Sequence, residues 1–156
     1  MVQKKKNNLL RKNNSYSSSF LSRFINHVTK KGKKQLAKKI VLSVLSILSK
    51  QYKLSSSRLM NQIFLTIRPF IEVRSVRVRR SSYLVPFPVK LHRQYHLASF
   101  WILETLANDK RKVNFETKMK EEFINILSKK GAVLTKRTST YQLAQKNRAN
   151  LHYRWY

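Results

Sequence analysis

From Phe20 onward, apolar residues recur every three to four positions. Phe20, Leu21, Phe24, Ile25 and Val28 predict a first helix. Lys30-Lys31-Gly32-Lys33-Lys34 interrupts it, with glycine as the natural stop. Leu36, Ala37, Ile40, Val41, Val44, Leu45 and Leu48 predict a second helix. Lys34, Lys38, Lys39, Ser43 and Ser46 occupy much of its other face, so an apolar stripe backs onto a cationic one. Ser55-Ser56-Ser57 offers N-caps for a third helix with the stripe Leu59, Met60, Ile63, Phe64 and Ile67. Arg68-Pro69 ends it, because the residue before proline is pushed out of the α region.

Between about 70 and 90 the period drops to two. Ile71 and Val73 alternate with Glu72 and Arg74; Tyr83, Val85, Phe87 and Val89 alternate with Leu84, Pro86 and Pro88. Pro86 and Pro88 lack N–H groups on the same side of a strand, which a free edge tolerates and a sheet interior does not. The expected element is a two-stranded antiparallel ribbon turning near Arg79-Arg80-Ser81. Such a hairpin is marginal alone and must lean on the helices or on a partner.

Three more helices are expected. The fourth, from about Gln94 to Asn108, is apolar almost all round (Leu97, Ala98, Phe100, Trp101, Ile102, Leu103, Leu106, Ala107) and reads as the central buried helix. The fifth carries Phe115, Met119, Phe123, Ile126 and Leu127 and stops at Gly131. A weaker sixth, with Tyr141, Ala144 and Leu151, runs from about Thr138 to Asn150. The fold class is therefore mainly α, a six-helix bundle-like core with a protruding ribbon between helices 3 and 4. The chain divides into a polar basic arm (1–19), one helical domain (20–151) and an aromatic, basic tail (152–156).

Charge narrows what such a domain is for. Of 156 residues, 34 are Lys or Arg and six are Asp or Glu, a formal net charge of +28. Self-repulsion destabilises a compact state of that charge, so a polyanionic partner is expected. All six acids lie between 72 and 122, which leaves both ends of the chain unneutralised. With 42% apolar residues the chain can still build a core.

Other classes find little support. The longest apolar-rich run, Ile40 to Leu48, holds nine residues including two serines, while a bilayer span needs about 20. Residues Met1 to Asn14 carry charge without the apolar stretch of a secretory signal, and make a poor mitochondrial presequence. There is no cysteine. His92 and His96, four apart, offer half a metal site that nothing nearby completes. No nucleophile elbow, no acid pair in an apolar setting and no glycine-rich phosphate loop is present. No catalytic residue, metal or cofactor is expected.

Three segments suit nucleic acid. Lys30 to Lys34 puts four ammonium groups on a helix–helix turn, which fits a phosphate backbone. Arg74, Arg77, Arg79 and Arg80 crowd the ribbon, more than edge protection needs. His152-Tyr153-Arg154-Trp155-Tyr156 alternates ring and cation, suited to docking on the core or to stacking on unpaired bases.

In collinear order from about Phe20 to Trp155, the chain resembles the family of small-subunit ribosomal protein seven. The residues that carry this are Phe24, Asn26 and Gly32-Lys33-Lys34; Arg68-Pro69 with Glu72-Val73; Arg77-Val78, Ser81, Tyr83 and Val85-Pro86; Ala98, Trp101 and Ile102; and Lys136-Arg137, Ala144, Asn147 and Ala149. The closing His152-Tyr153-Arg154-Trp155 is the most specific piece. The resemblance departs at the ribbon turn, where the family has Gly-Gly and this chain Arg79-Arg80, and over Asn108 to Asn114. Two arginines at positive φ are expected to cost roughly 1 kcal/mol or more each.

The resemblance implies an RNA organiser of the small-subunit head, near the exit tRNA site and the messenger exit, with no enzymatic activity. Implied partners are small-subunit ribosomal RNA and neighbouring head proteins, with exit-site tRNA and mRNA as further candidates. No membrane and no homo-oligomer is expected. Charge and resemblance together nominate as RNA-binding Lys4, Lys5, Lys6, Arg11 and Lys12 in the arm; Lys30, Lys31, Lys33 and Lys34; Arg74, Arg77, Arg79 and Arg80; Arg93, Arg111 and Lys112; Lys136, Arg137 and Arg148; and His152, Tyr153, Arg154 and Trp155.

The main competing class is a DNA-compacting architectural protein, which would also be small, basic and helical. Such proteins often bind as symmetric dimers, and no apolar dimer face is expected once the helices pack. A membrane-active cationic domain would need the first two helices to act alone. Phe, Tyr, Met, Ile, Asn and Lys, with AT-rich codons, make 59 residues, against 24 for Gly, Ala, Arg and Pro. That bias suggests an organelle's own genome, mitochondrion first and plastid second.

Overall fold

The three-to-four spacing becomes six α-helices in the computed structural model, which describes residues 20–155. Within that range α1 covers residues 20–28, α2 Lys34–Tyr52, α3 Ser56–Ile67, α4 Leu91–Asn108, α5 Phe115–Leu127 and α6 Ala132–Lys146. Strands β1 (Ile71–Val78) and β2 (Ser81–Pro88) pair antiparallel between α3 and α4, and a 3-10 helix, Arg148–Tyr153, follows α6. The expected mainly-α class with one ribbon is the observed one. The basic arm and its five nominated cations lie outside the described residues.

The stripes of α2 and α3 face each other. Ala37, Val41, Val44, Leu45 and Leu48 meet Leu59, Met60, Ile63, Phe64 and Ile67, and α5 adds Met119, Phe123 and Ile126. Each large side chain fully buried contributes about 1.5–3 kcal/mol. α1 is locked on by its rings: Phe20 lies 4.7 Å from Phe64 and 5.8 Å from Tyr95 between centroids, and Phe24 lies 5.9 Å from Phe123. Ser55 caps α3 through its hydroxyl, which accepts from the Arg58 N–H at 3.4 Å, and Arg68 leaves the helical region before Pro69 as expected.

Several expectations are corrected. α4 is not the central buried helix. It buries Ala98, Trp101, Ile102 and Leu106, but Phe100 is 50% exposed and Ala107 is exposed, because none of the described elements covers that face. The centre of the core belongs to α2 and α3. α6 begins six residues earlier than the sparse pattern indicated, anchored by buried Val133, and the chain tightens to a 3-10 helix before Asn150. Gly131 does not end α5. At φ +105° it is the N-cap of α6, while α5 closes on Lys129 at φ 58°. Lys130 N–H reaches the Asn125 carbonyl and Lys129 N–H that of Ile126, the paired bonds of a Schellman cap. Gly32 likewise stands past the end of α1, next to Lys31 at φ 51° in the turn into α2.

The ribbon turns through two residues between Val78 and Ser81. Only Arg79, at φ 54°, occupies the left-handed region; Arg80 does not, so the turn strains one arginine rather than two. The edge argument from the prolines holds. Pro86 and Pro88 share strand parity with Leu84, whose carbonyl points away from β1 to accept from Asn150 Nδ2 at 3.0 Å. Both missing N–H groups therefore lie on the outer edge. The alternation in β1, by contrast, is inverted at its base: Ile71 is exposed and Glu72 buried.

Candidate nucleic-acid interface

The six acids decide which cations remain available. Glu72 Oε2 accepts from Arg93 Nε at 3.1 Å, and its other oxygen pairs with Arg74. Burial pushes this carboxyl up, but the two guanidinium hydrogen bonds outweigh that and its pKa is lowered. Glu104 pairs with Lys136. Asp109 and Glu121 both bind Arg111, at 2.7 and 2.8 Å. The hydrogen bonds from Arg111 hold Asp109 down to about 2. Glu116 sits in the first turn of α5, where the helix dipole favours an anion. Glu122 is buried, and desolvation raises its pKa. Glu116 alone among the described acids stands exposed without an ion pair, so little negative charge offsets the outer surface.

Arg74, Arg93, Arg111 and Lys136, all nominated RNA ligands, are thus ion-paired inside the fold. Each keeps between 37% and 57% of its side chain accessible, so a second contact from the remaining N–H groups stays open. Arg137 donates to the Thr66 carbonyl near the end of α3 and lies over the Tyr141 ring at 5.3 Å. It ties α6 to α3.

A second group makes no ion pair among the described residues: Lys30, Lys31, Lys33, Lys34, Arg77, Arg79, Arg80, Lys112 and Arg148, all exposed. The loop lysines are held by a tight turn, with Lys33 N–H on the Lys30 carbonyl at 3.1 Å and Lys34 N–H on Gly32 at 2.7 Å. Four ammonium groups are thereby presented on a short rigid turn. The ribbon does the same with guanidinium groups.

The closing aromatic segment docks on the ribbon. Tyr153 stacks on Tyr83 with ring centroids 4.6 Å apart, and Asn150 holds the Leu84 carbonyl. Arg79, Arg80, Tyr83 and Tyr153 share one hollow of about 560 Å³ at the ribbon tip. Of the two uses foreseen for the tail, Tyr153 takes docking, while Trp155 stays 67% exposed. His152 Nδ1 lies 2.8 Å from the Ala149 carbonyl.

Sequence reasoning missed Tyr83 as the platform for Tyr153, since a strand tyrosine carries no sign of its partner. It also missed Phe100, exposed beside Lys136, whose ammonium is 5.9 Å from the ring. His96 meets His27 of α1, with centroids 5.0 Å apart, rather than forming a site with His92. Among the described residues no three His, Asp or Glu gather as metal ligands, and no helix is long and apolar enough to cross a membrane. Leu36, Leu65, Phe70 and Phe100, on α2, on α3, just before β1 and on α4, are each about half exposed.

Comparison with known proteins supplies what geometry alone does not. The sequence profile of the family described as "Ribosomal protein S7p/S5e" matches residues 2–148. The small ribosomal subunit protein uS7 of Rickettsia bellii is 36% identical over 138 residues, 88% of this chain and 84% of that protein. The protein of the same name from Thermomicrobium roseum is 36% identical over 140 residues, covering 90% and 89% of the two chains. That from Rickettsia akari is 36% identical, covering 88% and 86%.

Proposed function

The chain belongs to the ribosomal protein S7p/S5e family, and from that membership we propose that it is a structural constituent of the small ribosomal subunit that binds small-subunit ribosomal RNA and organises the head. The observation that carries the RNA reading is the split among the cations. Acids consume one group inside the fold, and the other stands unpaired on the α1–α2 turn and the ribbon tip. Phosphate contacts from such groups position a protein on RNA without reading its sequence. Counterion release would supply most of the affinity.

Within this reading the turn of Lys30 to Lys34 and the ribbon are the chief RNA contacts, with neighbouring head proteins, exit-site tRNA and messenger as further partners. The arm (1–19) extends the basic surface, the single domain (20–151) carries the fold, and the tail (152–156) meets the ribbon through Tyr153. No enzymatic role, metal or cofactor enters this function. The AT-rich residue bias favours synthesis in an organelle, mitochondrion before plastid, although the relatives compared are bacterial; locating the encoding gene decides this.

The test is filter-binding competition at fixed salt between a small-subunit head RNA fragment and duplex DNA of equal charge. Preference for the RNA by tenfold or more is expected. Equal competition would favour the DNA-architectural alternative.

A further inference from the structure

A groove of about 620 Å³ runs between α3 and α6 and shares no residue with the cationic turn or the ribbon tip. Its volume falls in the range of small-ligand clefts, about 300–1,000 Å³. No acid lines it, while Lys129 and Arg137 do. Lys129 is exposed and makes no ion pair among the described residues. Leu65, 48% exposed, supplies an apolar patch. Tyr141 supplies a ring, held in place because its hydroxyl accepts from the Phe70 N–H at 3.0 Å. The Arg137 guanidinium lies 5.3 Å from the centre of that ring and donates to the Thr66 carbonyl, which fixes a second planar group. Aromatic rings and guanidinium planes are the surfaces on which unpaired bases stack.

The polar groups of the groove narrow which base fits. Thr66 Oγ1 donates to the Gln62 carbonyl at 2.9 Å, and Thr138 Oγ1 to the Leu134 carbonyl at 3.0 Å. Both hydroxyl protons are thus spent along the helices, and what remains is acceptor capacity. The side-chain amide of Gln62, exposed and without a hydrogen bond among the described residues, offers a donor beside an acceptor. That pair matches adenine, whose ring nitrogen accepts and whose exocyclic amino group donates. Uracil has no amino group to give to these acceptors. Beyond Tyr141 the surface continues to Phe70, 49% exposed with the Arg68 guanidinium 4.7 Å from its ring centre, a platform for the next base.

We infer that this groove takes an unpaired adenine of an RNA strand. The base lies on the Tyr141–Arg137 pair beside Leu65, with its amino edge on Gln62 and its phosphate at Lys129. The inference rests on the RNA-binding reading and adds to it the reading of a base, where the turn and the ribbon tip only hold phosphate. An acidic protein segment is the weaker occupant. It would satisfy Lys129 and Arg137 but leave the stacking planes and the hydroxyl acceptors unused.

The test titrates the full ¹⁵N-labelled chain with tetra-adenylate and tetra-uridylate RNA, with tetraglutamate in a parallel arm. Oligonucleotides also gather on the cationic turn and the ribbon, so affinity is read from the amides of Leu65, Thr66, Thr138 and Tyr141. Saturating shifts are expected there, with the adenylate bound about tenfold more tightly than the uridylate, as one bidentate base contact implies. Gln62→Ala, on exposed helix surface, should abolish that preference. Lys129→Gln should weaken both RNAs equally and flatten the log–log salt slope at these amides by about 0.7. Equal affinity for the two RNAs, shifts confined to the turn and the ribbon, a preference unchanged in Gln62→Ala, or tetraglutamate binding as tightly at the same amides would overturn the inference. The same samples then face the head RNA fragment in competition with duplex DNA. Preference for the head RNA without an adenine preference at the groove removes this inference alone. Adenine preference at the groove with equal competition by duplex DNA removes the proposed function instead.

Discussion

Tyr153, close to the end of the described chain, stacks on Tyr83 of β2 with ring planes 23° apart. Seventy residues of sequence separate the two, and their contact joins the closing 3-10 helix to the ribbon. Tyr153→Ala should therefore loosen the ribbon, not the bundle. Amide hydrogen exchange should accelerate several-fold across β2 and remain unchanged in α2 and α3. Equal acceleration everywhere would mean that the ring stabilises the whole domain.

The tip arginines are expected to act through phosphate. Changing Arg77, Arg79 and Arg80 together to Gln should weaken binding to the head RNA fragment without lowering helix content. The slope of log affinity against log salt should become shallower by about two to three, at roughly 0.7–0.9 per phosphate contact. A salt titration of wild type beside the triple variant measures this. Identical slopes would direct the tip towards tRNA, messenger or protein.

Trp101 is 6% exposed and packs in the core from α4. Trp101→Ala should cost about 3–5 kcal/mol, as truncation of large buried aromatics does. Urea unfolding followed by circular dichroism checks the value. Phe100→Ala, on the uncovered face of the same helix, should cost far less.

Glu122 and Asp109 should shift stability with pH in opposite directions. Glu122 has a raised pKa, so its contribution is full below its ordinary value of 4.5 and is lost as pH rises through the folded value. Asp109 has a lowered pKa, so its contribution is full above its ordinary value of 3.8 and is lost as pH falls towards about 2. Glu122→Gln should therefore melt higher than wild type at pH 7 and converge with it near pH 3. Asp109→Asn should melt lower at pH 7 and converge only at the acid extreme. Thermal melts across that range decide both.

Much of this architecture is legible in the order of residues, and the failures have physical causes. α2 and α3 read clearly because their stripes face each other, so spacing and burial agree. α4 misled because an all-round apolar helix does not reveal how many neighbours it has; Phe100 remains bare on the side that none of the described elements covers. α6 hid its start because Val133 is the sole fully buried apolar residue in its first turns. The base of the ribbon inverted the alternation because Glu72 is drawn inward by Arg74 and Arg93, an interaction that a hydropathy pattern omits.

The cationic segments were legible from charge alone, but not which cations the acids would take. That depends on contacts such as Lys136 to Glu104, 32 positions apart. The four non-glycine residues with positive φ among the described residues, Lys31, Lys53, Arg79 and Lys129, were equally hidden. Lysine has no preference for that conformation. Lys53 and Lys129 close α2 and α5, where the negative end of the helix dipole offsets part of the roughly 1–2 kcal/mol of strain.

The two prolines of β2 bear on the life of the molecule before it meets RNA. A lone two-stranded ribbon offers two open flanks on which further copies could add strand by strand. Here α6 packs along β1, and the 3-10 helix packs along β2. On β2 the flank also lacks two donors, at Pro86 and Pro88, and the Leu84 carbonyl is taken by Asn150. A third strand arriving there would find no continuous ladder to join. The ribbon can thus stay formed without offering either flank as a template for further strands.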